Sequence, residues 1–251
     1  MLENLVDIAT FASLAISIWT LKAIQSVRKP RYKVFSHEKI KKKKKISLIY
    51  IKEQLKFLVG EYQKIFRTKQ KGLEEGINHF EDMPNGWRVI ICEGKVIGFW
   101  VLYCMDENTY KKMKKRSFTA RINHYLWEGD EKSYQYGYLW MIGIAPEHMT
   151  YYGMKAMCKG FLNYLLELTR DGRYFDELFA NSESSVGQVL VEALGFERVQ
   201  SDKRRKLVYY HLELREIHAY GGIGRAMNLG CWWEKYRIKK RYEKHHKEKQ
   251  L

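Results

Sequence analysis

Between Tyr136 and Phe196 the hydrophobic pattern changes period several times. Tyr136 to Ala145 is an apolar and aromatic run, as in a strand, Pro146 to Tyr152 is a turn, and Gly153 to Thr169 repeats apolar residues at helical spacing. Phe175 to Ala180 reads as a second short strand, and Ser184 to Leu194 as a second helix ended by Gly195. Two strands separated by one helix predict a parallel pair, because parallel neighbours need a crossover long enough to hold a helix. A ligand crevice is then expected outside the carboxyl ends of those strands.

Upstream, Leu48, Ile51, Leu55, Leu58, Tyr62 and Ile65 recur at spacings of three and four, which predicts an amphipathic helix over Leu48 to Phe66. Trp87 to Tyr103 reads as a hairpin: a strand to Cys92, a turn at Glu93, Gly94 and Lys95, and a strand from Val96. Gly94 supplies the positive φ of a tight reversal. Arg31 to Phe35 fits a short edge strand, and Met105 to Ser133, polar and rich in lysine, fits an insertion or lid. Lys206 to Leu214 alternates as a closing antiparallel strand does. Arg225 to Glu248 reads as a tail helix with Trp232, Trp233 and Tyr236 on or near one face.

A chain of 251 residues suits one domain with appendages. The expected division is a hydrophobic helix over 1–27, a basic linker over 28–45, a domain over 46–214 with an insertion at 104–134, and a basic aromatic tail over 215–251. The net charge of +16 is concentrated on the flanks: Arg28 to Lys45 carries +9 and Trp232 to Leu251 carries +5, against +3 for residues 46–231. That distribution favours an anionic membrane surface touched by the flanks over a duplex gripped by the body. Nucleic acid held through the basic flanks is an alternative partner, and predicts affinity that falls steeply with salt.

Residues 5–27 are mostly apolar, but the uncharged run Ile8 to Leu21 has 14 residues, short of the roughly 20 that span a bilayer. Snorkelling of Lys22 would lengthen it. Glu3 and Asp7 argue against a cleaved signal peptide, and the basic residues that follow place the domain on the cytoplasmic side of an anchor. Ser13, Ser17 and Thr20 leave open a helix packed on the domain or on a partner. Cys92, Cys104, Cys158 and Cys231 form no CxxC pair and read as free thiols in a reducing compartment, with no zinc site.

In order, the elements are strand, helix, hairpin, strand, helix, strand, helix, strand. That order resembles the GNAT (GCN5-related N-acetyltransferase) superfamily over roughly Arg31 to Leu214. The hairpin Ile90 to Phe99 looks like the family's second and third strands, and Asn181 to Ser185 followed by Leu190 to Phe196 looks like its fifth strand, fourth helix and Leu-Gly-Phe ending. The resemblance implies an α/β (α+β) fold, a mixed sheet flanked by helices, here with an N-terminal hydrophobic helix and a basic C-terminal helix. It also implies acetyl-CoA in the gap between the fourth and fifth strands, its pyrophosphate at the start of the third helix, where unpaired amides and the dipole face an anion.

On this chain the resemblance puts cofactor contacts at Ile142, Gly143, Ile144, Tyr152, Gly153, Met154, Lys155, Ala156 and Asn181, with an oxyanion donor at the amide near Ile144. The phosphate motif departs from the family pattern. Gly153 fits its first glycine, but Thr150 stands at the Arg/Gln position and Lys155 at the second small position, with Ala156 one step late. Val191 stands where many members carry a proton-donating tyrosine. A glycine cluster, Gly221 to Ala226, looks like a phosphate loop but has no strand after it, and reads as a joint before the tail helix.

Glu147 and His148 are the titratable pair at the expected mouth, a base or relay if they are more than an exposed turn. Asn181 would bond the pantetheine arm or cap the next helix, a role open also to Ser182 and Ser184. Tyr134, Tyr136, Tyr138 and Trp140 put four rings on one strand face, for sheet packing or an acceptor pocket. Two functions follow. One is an N-acyltransferase moving an acetyl group from acetyl-CoA to an amine acceptor at a membrane. The other is a catalytically inactive GNAT-like binding or structural protein, for example a component of a phage particle or another membrane-associated protein assembly.

Overall fold

A computed structural model describes residues 31–42, 48–66, 86–108, 110–111, 136–182, 184–202, 207–217 and 231–249. The chain divides into Met1–Arg31 and Tyr32–Leu251; in the first unit only Arg31 is described. The expected anchor over 5–27, most of the insertion including Tyr134, and the glycine joint at Gly221 to Ala226 lie outside the described residues.

The elements of the second unit are β1 (Tyr32–Phe35), α1 (His37–Lys42), α2 (Leu48–Phe66), β2 (Trp87–Cys92), β3 (Lys95–Met105), β4 (Tyr136–Ile144), α3 (Tyr151–Arg170), β5 (Glu177–Ser182), α4 (Ser185–Leu194), β6 (Glu197–Asp202), β7 (Leu207–Glu213) and α5 (Trp232–Lys249), with 3-10 turns at Pro146–His148 and Leu214–Glu216. The strands form one seven-stranded sheet in the order β1-β2-β3-β4-β5-β7-β6. Among the described residues only β4 and β5 pair in parallel, and α3 is the crossover between them. β1 pairs with β2, so part of the expected basic linker is an edge strand of the sheet.

The hairpin forms because Glu93 and Gly94 both hold positive φ, 51° and 83°, the geometry of a two-residue turn matched to strand twist. β3 is buried along nearly its whole length, as a central strand covered on both faces must be. Helix α3 covers the face of Trp100, where Gly160 lets it close on the sheet: a Cβ there would lie 2.9 Å from Val34 Cγ2 and 3.0 Å from Trp100 Cη2. α2 also packs on β3, burying Ile51, Leu55, Leu58 and Val59 and leaving Ile49 and Phe57 outside. The side chains of Leu48, Tyr62 and Ile65, three members of the predicted stripe, lie outside the described residues.

The tail helix α5 runs alongside α3 in the same direction. Lys159 Nζ, midway along α3, lies 3.3 Å from Glu234 Oε1 near the start of α5, and Arg241 Nη1 donates to Thr169 Oγ1 at 2.9 Å further on. The face of α5 turned inward carries Glu234, Lys235, Ile238 and Tyr242, while Trp232, Trp233 and Tyr236 are exposed. Burial pushes the Lys235 ammonium below the usual lysine range. α4 ends in a left-handed glycine, Gly195 at φ 104°, with Phe196 N donating to Val191 O and Gly195 N to Glu192 O, a Schellman close.

Candidate functional site

The site is built by a mismatch between two strands. β4 and β5 pair from Tyr136–Glu177 to Leu139–Ala180, and there the pairing stops, although β4 runs on to Ile144 and β5 to Ser182. The cause lies on the other side of β4. Against β3 the register passes from Val101–Met141 to Leu102–Leu139, so Trp140 is an extra residue on β4. A bulge bends its strand and steepens its twist, and this one falls at the residue after the last β5 pair. The result is a crevice between the carboxyl ends of the parallel strands, where open α/β sheets hold ligands.

Two groups of polar atoms border this crevice. Ala145 N donates to Ile97 O at 2.6 Å, and because amide direction alternates along an antiparallel ladder, the N–H groups of Ile142 and Ile144 turn away from β3, toward β5. The second group is the start of α3. Thr150 is its N-cap and accepts from Gly153 N at 3.3 Å through its own hydroxyl. Gly153 is fixed by packing: a Cβ would run into the His148 carbonyl oxygen and lie 2.9 Å from Ile144 Cδ1. The departure at Thr150 therefore has a structural consequence, since the Gly153 amide is already engaged. Lys155 Nζ lies 5.5 Å from the centre of the Tyr151 ring, one turn back on the helix, and Tyr152 is exposed beside it. Met154 is buried and Ala156 half-buried in the same turn.

Glu147 and His148 both fall in the 3-10 turn, but they point to different work. Glu147 is exposed, and the His148 ring meets the edge of Tyr32 at 6.0 Å. Tyr32 belongs to β1, on the side of the sheet away from β5; its hydroxyl bonds the Thr150 side chain, and burial is the largest of the effects that raise it above the usual phenol range. Asn181 is half-buried in the ladder opposite Tyr209, and the cap of α4 is Ser184, which accepts from Gly187 N at 3.0 Å. Val191 is buried in the core.

A constellation the sequence did not reveal lies on the sheet at the amino ends of β4 and β5. Glu177 Oε2 sits 2.8 Å from His211 Nε2 and accepts from Tyr110 OH at 3.1 Å. Tyr110 stacks on Tyr136 with centroids 4.0 Å apart and leans on Phe179, which also meets His211. Glu177 and Phe179 precede Ala180, the last β5 residue paired with β4, by three and one positions. Burial, and next the Glu177 charge, raise Tyr136 above the usual phenol range. The signal was hidden because Glu177 and His211 are 34 residues apart and meet only through the β5–β7 register.

A separate cavity of about 310 Å³ opens between β1, α1 and α3, with Lys39, Arg88, Glu167 and Arg170 on its wall; it does not border the crevice. Among the described residues there is no group of three or more His, Cys, Asp or Glu side chains that could hold a metal ion, and no helix long and apolar enough to cross a membrane.

The parallel β4–β5 pair and the parting of its strands are those expected from the sequence. The architecture is a mixed sheet flanked by helices. No family model matches the sequence, and no curated protein does. Among solved structures the chain is similar to an acetyltransferase from Streptococcus agalactiae 2603, at 14% identity and TM-score 0.47 over 72% of this chain and 98% of that one. It is similar also to PH1933 from Pyrococcus horikoshii OT3, at 16% and 0.46 over 73% and 98%. A GNAT-family acetyltransferase from Listeria monocytogenes 4b F2365 follows at 11% and 0.41 over 72% and 94%.

Proposed function

We propose that the chain is an N-acyltransferase that moves an acetyl group from acetyl-CoA to an amine in the crevice between β4 and β5. The observation that carries the reading is the parting of these strands after Leu139 and Ala180, at the bulge of Trp140 and below the start of α3. The thioester would lie along the open edge of β4, its oxygen toward the Ile142 amide, the nearer of the two free-edge amides to the bulge, which stabilises the charge that builds there.

Glu177 and His211 take the role of proton acceptor in preference to Glu147 and His148, acting through water along the ring-lined side of the parallel pair, because Glu177 stands three residues, about 10 Å, before the last β4–β5 pair. An ammonium acceptor gives a proton through water to this pair, the freed nitrogen attacks the carbonyl carbon, the C–S bond breaks, and the proton that the nitrogen then sheds passes through water to the leaving thiolate, since Val191 has no proton to give. A base so placed contributes about 10² to 10⁴ in rate. Placement at the cytoplasmic face of a membrane, through the basic flanks, belongs to the same proposal.

A second reading, a GNAT-like protein without catalysis, is favoured by the engaged Gly153 amide and the buried Val191. The test is mass-spectrometric detection of acetylated product from the full chain, acetyl-CoA and a panel of primary amines. The enzyme reading expects product from the native chain and about 10² to 10⁴ less from Glu177→Gln. Tight acetyl-CoA binding with no product across the panel would favour the second reading.

A further inference from the structure

The exposed rings at the start of α5 have no part in the proposed chemistry. Trp232, Trp233 and Tyr236 are 50%, 49% and 42% exposed, although their helix is otherwise docked on α3. They form one cluster: Trp232 meets Trp233 edge to face at 5.5 Å, and Trp233 stacks on Tyr236 at 5.6 Å. The cluster adjoins the start of α3, because Lys155, which lies over Tyr151, is close enough to Cys231 for its charge to act on that thiol. Tyr151 and Tyr152, at the start of α3, are exposed as well. Around it α5 carries eight basic and three acidic residues, and Lys240 Nζ lies 5.9 Å from the Tyr236 ring centre.

We infer that this face seats the protein on an anionic lipid surface, with the rings at headgroup depth and the outward-facing lysines and arginines of α5 on lipid phosphates. The combination is that of an interfacial helix, aromatic residues beside a basic belt with low overall hydrophobicity. Charge complementarity decides the occupant, because a net positive helix beside exposed aromatic surface needs a partner both apolar and anionic. Base stacking on single-stranded nucleic acid fits less well, since it needs open ring faces and Trp233 and Tyr236 cover one another. The inference is independent of acyl transfer.

The test uses the full chain with vesicles of phosphatidylcholine alone or with about one third phosphatidylserine, and maps hydroxyl-radical oxidation of the rings by mass spectrometry. Trp232, Trp233 and Tyr236 become protected with anionic vesicles only. A chain with Trp232→Ala, Trp233→Ala and Tyr236→Ala, which removes exposed side chains and keeps its melting temperature, partitions into those vesicles about tenfold less. Unchanged ring oxidation with vesicles overturns the inference, even where another segment brings the protein to the membrane. Protection by single-stranded RNA but not by vesicles overturns it too, and assigns the face to nucleic acid.

Discussion

Leu139 and Ala180 form the last pair between β4 and β5, and the next residue of β4, Trp140, is the one with no partner in β3. The crevice is therefore a property of register. Its shape depends on the bulge and on the turn from Ala145 to Thr150 that holds α3 above it.

Gly153→Ala tests that turn. The new Cβ meets the backbone oxygen of His148 and the Ile144 side chain, so the turn has to move away from the helix. A loss of about 1–3 kcal/mol, typical of overpacking, is expected in urea titration, together with weaker acetyl-CoA binding. A variant as stable as the native chain would show that the turn gives way freely.

The tail helix is integral to the domain. Tyr242 is buried and its hydroxyl accepts the Phe175 amide at 2.9 Å, just before β5. Tyr242→Phe leaves that buried N–H without its partner and is expected to cost about 1–3 kcal/mol by chemical denaturation. A change within error would mean that water reaches the amide.

Lys235 gives a pH signature. Its ammonium is buried between α3 and the end of α4, near Cys158, Cys231 and Gly195, and burial lowers its pKa in the folded state. The folded chain thus binds fewer protons than the unfolded chain between the lowered value and about 10.4, so this group's contribution to stability rises with pH across that window. Lys235→Met should be more stable than the native chain near neutrality, and the gap should narrow as pH rises toward 10. The neighbouring thiols act oppositely: burial pushes Cys231 up to about 11 and raises Cys158 further. The comparison is therefore made between native and variant melting curves at each pH. A gap that widens with pH would contradict the assignment.

Much of this fold was legible because the central elements are strongly periodic. α3 begins at Tyr151 and ends at Arg170, two residues and one residue beyond the expected ends, and the hairpin falls where Gly94 put it. β5 starts at Glu177 rather than Phe175, since apolar residues that pack beside a strand look like the strand itself. β6 escaped because Glu197 to Asp202 is an exposed edge with no apolar face. α1 escaped because His37–Lys42 reads as a charge run whose one apolar residue, Ile40, is buried. On α5 the aromatic residues were expected to mark a face, and they do, but the inward face is led by Glu234 and Lys235. Neither the bulge at Trp140 nor the Glu177–His211 pair has a local signal, because each arises from register between strands.

The most direct measurement is calorimetric titration of acetyl-CoA into the full chain, with Gly153→Ala alongside and folding checked by thermal melting. Micromolar binding by the native chain, weakened in the variant, is the predicted result and puts the acyl donor at the start of α3. Absence of heat at millimolar acetyl-CoA from a folded chain would contradict the acyltransferase account, and would leave the crevice as an inherited shape without its ligand.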